Sequence, residues 1–272
     1  MILNTSMAGN AVSSIDDGVI VASVFHVEDR RVHGPDADDL TVLIDALEAW
    51  RHGKHEGPVD LEVDEEERRI LAASLPWLTM EVGAQHVAHR FQCGAAVLDR
   101  DASIDLAAVS VAAELRIAVE ASAHDAITTA WSTEMAASNV SQGAYVSGQV
   151  HDLGMGARLG MQAQAGPVWP PRGALADGGL PEQGTCLPMT ARVVSWTRLI
   201  AAGCPSEFAI RAPSLGGLTS MILSFEEGPS GVFLYADGHE NDVSIDDEVH
   251  LVVRRVYAQD GVLRYGRKAI RA

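Results

Sequence analysis

The chain has 272 residues, 47% hydrophobic and 21% charged, enough for one large domain or two modest ones, each with its own core. Its formal net charge of −17 repels phosphate backbones, which argues against nucleic acid as a partner. No run of about 18 apolar residues is present to cross a bilayer, no basic-then-apolar leader opens the chain, and three scattered cysteines make no disulfide framework, so a cytoplasmic protein with no membrane partner is expected.

Residues 1–15 are small and polar and read as frayed. Gly18–Val27 is a β-branched apolar run, a buried strand. Asp36–Gly53 is the clearest helix: Leu40, Leu43, Ile44, Leu47 and Trp50 fall at helical spacing, Asp residues crowd the start, and Arg51, His52 and Gly53 close it. After a polar excursion in which Asp64–Arg69 reads as a solvated helix start, the next 20 or so residues read as strand, loop, helix and strand, ending near Gln92. Ser103–Ser122 is Ala-rich, with Ile104, Ala108, Val111, Leu115 and Val119 on one stripe, and is expected to be a central helix. Asp125–Glu134 has strand propensity. Gly154, Gly156 and Gly160 are spaced one residue too widely for a dinucleotide fingerprint.

The pattern changes at residues 166–189, which are rich in Pro and Gly and read as a linker. Beyond it come short alternating runs punctuated by turn residues: Thr190–Ile200, Glu207–Pro213, Gly217–Gly228, Gly231–Gly238 and the long Glu248–Arg271 stretch with Gln-Asp-Gly inside it. Five or six strands in about 80 residues without a helix read as a small closed barrel. The expected organisation is an α/β domain over 1–165, the linker, and an all-β OB-fold barrel over 190–272.

The ordered set of motifs in this last part carries a resemblance. Pro170–Arg172 gives a Pro-Pro-Arg lead-in; Arg192–Leu199 holds a Ser-Trp-Thr step; Met221–Gly228 ends in Glu-Glu-Gly; an acidic turn precedes the Val-rich Glu248–Tyr257; and Arg264–Lys268 reads Arg-Tyr-Gly-Arg-Lys. In this order the segments resemble the OB-fold proteins with a zinc ribbon that accompany thiolases and hydroxymethylglutaryl-CoA synthases. The resemblance implies a subunit without a nucleophile that bridges thiolase-fold enzyme subunits and helps to hold the coenzyme A moiety of an acyl-thioester. Arg254, Arg255, Arg264 and Lys268 are then the candidates to meet its phosphates. The family's two Cys pairs are missing: Cys186 stands alone after Pro-Pro-Arg and Cys204 is too far on, so the zinc site is expected to be lost and no metal is expected.

The first 165 residues resemble, more distantly, the N-terminal half of thiolase-fold condensing enzymes, through Glu81–Phe91, the Ser103–Ser122 stretch and Asp125–Glu134. Aligned on that expected helix, the nucleophile position falls near Ala102, where no Cys stands, so the resemblance implies a degenerate, packing copy. The alternative is an acyltransferase in which Cys93 is the nucleophile and His86 or His89 the base. The pairs His52/His55 and His86/His89 are each three apart but lack a third donor for a metal.

Overall fold

In the computed structural model, which describes residues 1–138, 148–164, 169, 183–200, 204, 208–226, 228–239 and 243–272, the chain divides into two units, Met1–His124 and Asp125–Ala272. The sequence reading sets its boundary at 165/166; of the linker, Trp169 and residues 183–189 are described and the rest lies outside the described residues.

The first unit begins with strands where fraying was expected: β1 (Ile2–Leu3), β2 (Thr5–Met7) and β3 (Asn10–Ile15). They are held because Leu3 and Ala11 are completely buried and because β3 pairs along its whole length with β4 (Gly18–Ser23). The apolar run Gly18–Val27 is strand, as expected, but breaks at Val24 into β4 and β5 (Phe25–Val27), which turns into β6 (Arg30–Arg31). Helix α1 (Asp39–His52) follows. A reciprocal capping box starts it, Thr41 N–H donating to Asp38 Oδ1 at 3.0 Å and Asp38 N–H to Thr41 Oγ1 at 2.9 Å. Gly53 ends it, its N–H donating to the Ala49 carbonyl.

Strand β7 (Val59–Asp60) precedes helix α2 (Glu65–Ser74), opened by an Asp64/Glu67 capping box. The acidic start was legible, but the helix runs on through Ile70–Ser74, where a strand was expected: Ile70, Leu71 and Ser74 make a helical stripe and are buried. The hairpin β8 (His86–Phe91) and β9 (Gly94–Asp99) comes next. These elements form one sheet in the order β2-β3-β4-β9-β8-β7, and α1 packs over β4 and β9.

Ser103–Ser122 is not a helix. It runs as two 3-10 turns and two short strands, β10 (Ser110–Val111) parallel to β1 and β11 (Ile117–Ala118) parallel to β5. Its apolar residues also alternate by two: Ala102, Ile104 and Leu106, and again Leu115, Ile117 and Val119, pack partly buried on the core. That period of two is compatible with strand, and pairing with β1 and β5 selects it. The helix on which the thiolase-like alignment was built is therefore absent.

The helix lies immediately after. Asp125–Glu134, expected as a strand for its β-branched residues, belongs to α3 (Ala121–Ala136). Ile127, Ala130, Trp131 and Glu134 are buried at helical spacing. Two hydroxyls bond back within the helix, Ser132 Oγ to Thr128 O at 3.1 Å and Thr133 Oγ1 to Thr129 O at 2.8 Å. Packing of the stripe outweighs the weak strand propensity. Helix α4 (Gly148–Leu159) and the pair β12 (Gln162–Gln164) and β13 (Gln183–Cys186) lead on.

The rest of the second unit is a nearly closed antiparallel barrel of the OB type. Its strands are β14 (Thr190–Leu199), β15 (Leu218–Ser224), β16 (Ser230–Leu234), β17 (Glu248–Gln259) and β18 (Val262–Arg271), in the order β16-β15-β14-β17-β18. The two edges meet through a parallel bridge between Tyr235 and Ala269, with Ala236 N–H donating to Ala269 O at 2.8 Å. Bulges at Val193/Ser195 and Arg255/Tyr257 bend the long strands enough to close. The β17–β18 hairpin turns on Asp260 and Gly261, both at positive φ (52° and 76°), as the Gln-Asp-Gly signal requires. Of the run expected as a strand over Glu207–Pro213, the described part is not one: Phe208–Gly216 is a set of tight turns, with Ala212 N–H donating to Phe208 O at 2.9 Å. Val193, Met221, Leu223, Phe233, Val249 and Leu251 are among the residues that fill the interior.

Candidate functional site

A charged cluster sits inside the second unit, between α3, the turns after β14 and strands β17 and β18. Arg211 is fully buried. Its Nη2 donates to Val256 O at 2.9 Å, its Nη1 lies 3.6 Å from Glu134 Oε2, and its guanidinium carbon is 3.8 Å from the centroid of Trp131. Arg255 covers the same ring at 4.5 Å, so Trp131 is in contact with two cations. Lys268 Nζ pairs with Asp237 Oδ2 at 2.9 Å, both buried. Burial pushes the Glu134 carboxyl up to about 7, against the pull of Arg211 and Lys268.

The four candidate phosphate ligands fall into two groups. Lys268 is fully buried in its pair with Asp237, and Arg254, 2% exposed, donates through Nη1 to Val253 O at 2.7 Å. Arg255 and Arg264 are half-buried, Arg255 on Trp131 and Arg264 over Tyr257 at 5.6 Å. The sequence reading missed Trp131, Glu134 and Arg211. The first two share the Ile127 stripe, a signal that was available at helical spacing; Arg211 lies in a turn that nothing in the sequence marks.

The outer face of β15 and β16 carries exposed apolar side chains. On β14, Trp196, in register with Met221, is 44% exposed and Val194, the extra residue of the bulge, 46%. Ile222 and Val232 are cross-strand partners, 41% and 47% exposed. Neighbouring exposed apolar side chains of this size on one sheet face mark contact surfaces rather than ordinary solvated surface.

In the first unit Cys93 is half-buried in the β8–β9 turn at φ 50°. Neither expected base is beside it. His86 lies at the far end of β8, its Nδ1 on Asp99 at 2.8 Å and its ring edge-on to Trp50, and His89 is exposed on the same strand. The ring that interacts with the Cys93 sulfur is His33, whose Nε2 meets Asp39 Oδ1 at 3.0 Å. Of the other cysteines, Cys186 is exposed at the end of β13. Among the described residues no group of three or more His, Cys, Asp or Glu is placed to hold a metal ion, and none of the described helices is long and apolar enough to cross a membrane.

No family model matches the sequence, and no curated protein matches it. Among solved structures, the chain is similar to a chain of the "Ltp2-ChsH2(DUF35) aldolase", at 14% identity, covering 46% of this chain and 97% of that chain with a TM-score of 0.30.

Proposed function

We propose that the chain is a non-catalytic, acyl-CoA-binding scaffold subunit of a thiolase- or hydroxymethylglutaryl-CoA-synthase-type complex. The observation that carries this reading is the set of exposed apolar side chains on the barrel strands, the cross-strand pair Ile222 and Val232 together with Val194 and Trp196 of β14. A surface of this kind needs a partner to cover it, and the ordered barrel motifs resemble those of thiolase-associated subunits. The first unit, an α/β sheet with α1 on it, is a packing element in this account, whatever its likeness to a condensing enzyme.

Arg255 and Arg264 supply the cationic contacts to coenzyme A phosphates. Lys268 and Arg254 act behind them, holding the barrel wall through Asp237 and the Val253 carbonyl. The test is co-migration of the full chain with a candidate thiolase on size exclusion. A complex that Trp196→Glu abolishes supports the reading; separate migration of both proteins at micromolar concentration overturns it.

A further inference from the structure

Strand β14 runs on past β17 with one edge open among the described residues. It pairs with β17 over Thr190, Ala191 and Arg192, and the last bonds on that side join Val193 to the turn before β17: Val193 N–H donates to Asp247 O at 3.0 Å and Asp246 N–H to Val193 O at 2.8 Å. From there to Leu199 the described partner of β14 is β15 alone. The direction of the remaining backbone groups follows from β15. Thr219 O accepts from Tyr235 N–H at 2.8 Å, so Thr219, and Met221 two residues on, turn their backbone groups toward β16. Their β14 partners, Arg198 and Trp196, therefore stand in non-hydrogen-bonded pairs with β15 and turn their own N–H and C=O groups to the open edge. No described residue takes these groups.

The side chains along this edge are exposed too. Trp196, Arg198 and Ile200, the last 59% exposed and just beyond the strand, follow one another at a period of two and make one row: apolar, cationic, apolar. Strand β14 holds Arg192 and Arg198 and no carboxylate, in a chain of net charge −17. An open strand edge is a template for another strand; the main-chain bonds supply affinity and the alternate side chains supply choice. We propose that the β14 edge binds an extended, acidic segment of a partner protein as an additional strand, with apolar side chains opposite Trp196 and Ile200 and a carboxylate opposite Arg198. A second copy of this chain fits the edge less well, since it brings a body of the same net charge and a strand with no carboxylate for Arg198. The mode of docking rests on the edge geometry; that the segment belongs to a thiolase-fold enzyme rests on the scaffold reading above.

The test uses the full chain and a short peptide with valine, glutamate and valine at alternate positions and threonine between them. At about ten times its dissociation constant the peptide should slow amide exchange at Trp196 and Arg198 about tenfold, and leave Thr197, which faces β15, unchanged. Arg198→Pro removes an edge N–H but no β14–β15 bond, so it should fold and lose the peptide. Arg198→Glu keeps every backbone group and should bind the peptide severalfold more weakly, while a peptide with lysine in place of glutamate should prefer that variant to the wild type. No binding at millimolar peptide overturns the proposal, as does binding that leaves exchange at Trp196 and Arg198 unchanged or survives Arg198→Pro undiminished. Protection of both amides without peptide, rising with protein concentration, makes a second copy the occupant and overturns it equally. A candidate thiolase that co-migrates with the chain while these amides exchange freely overturns the edge and keeps the scaffold reading; peptide binding without a thiolase complex does the reverse.

Discussion

Arg211 lies against Trp131 with its guanidinium carbon 3.8 Å from the ring centroid, in an environment where the arginine is wholly shielded from water. The stack joins α3 to the turn that follows β14, and the Val256 carbonyl and Glu134 complete the surroundings of the charge. Removing the side chain leaves Glu134 without its nearest cation. Arg211→Ala is therefore expected to lower stability by about 3 kcal/mol in urea unfolding. Arg211→Lys keeps the charge but not the flat stacking surface, and should recover only part of the loss; wild-type stability in that variant would contradict the role given to the stack.

Glu134 produces a pH dependence of definite sign. Its folded-state value, near 7, lies above the ordinary 4.5 because of burial. Between those values the unfolded chain releases its proton while the folded one retains it, so stability falls as pH rises from about 4.5 to about 7 and is level beyond. Glu134→Gln resembles the protonated form and should remove that slope. Denaturant midpoints measured across the window check this, and an unchanged slope in the variant would count against it.

His33 gives a second slope in a different window. Burial alone would lower its value from 6.5; the Asp39 hydrogen bond and the neighbouring Cys93 outweigh burial and raise it to about 9. The stability contributed by the charged imidazole is fully present below about 6.5 and is lost as pH rises through about 9. His33→Gln should remove this slope and Cys93→Ser should reduce it. The titration of the His33 ring protons by NMR provides the direct reading.

Gly18 opens β4 at φ +143°, and a Cβ there would sit 2.0 Å from the Val97 carbonyl oxygen. Gly18→Ala forces apart the β4–β9 pair at the centre of the first sheet. The expected cost is about 2 kcal/mol or more, seen as a lower melting temperature, whereas Gly83→Ala meets no atom within 4 Å and carries only the strain of its positive φ.

How much of this was legible in the sequence varied with the kind of signal. The α1 helix and the barrel strands were read closely, because apolar spacing, caps and turn residues agreed with one another at those places. Ser103–Ser122 was misread because its alanines fit a helical stripe as well as an alternating one, and only pairing with β1 and β5 decides between them. Ile127, Trp131 and Glu134 were hidden inside a run whose threonines favour strand on their own. His33 and Cys93 are 60 residues apart in sequence and meet only because the β8–β9 turn comes down beside the segment after β6. No local pattern carries such a contact, so a reading of the sequence turns to the nearby histidines of β8. Which of the second unit's cations are buried was not legible for a similar reason, since charge in a β-strand gives no sign of which side of a closed barrel it faces.

The account turns on whether the exposed apolar side chains of the barrel, Trp196 among them, are covered by a thiolase-fold enzyme. The most direct measurement is the activity of a candidate thiolase on its acyl-CoA substrate with and without the full chain, alongside the Trp196→Glu variant. The scaffold reading predicts activity that rises on addition of the wild-type chain and does not rise with the variant, which should itself unfold near the wild-type temperature because Trp196 is 44% exposed. Activity unchanged by the wild-type chain, with the two proteins sedimenting separately, would contradict it.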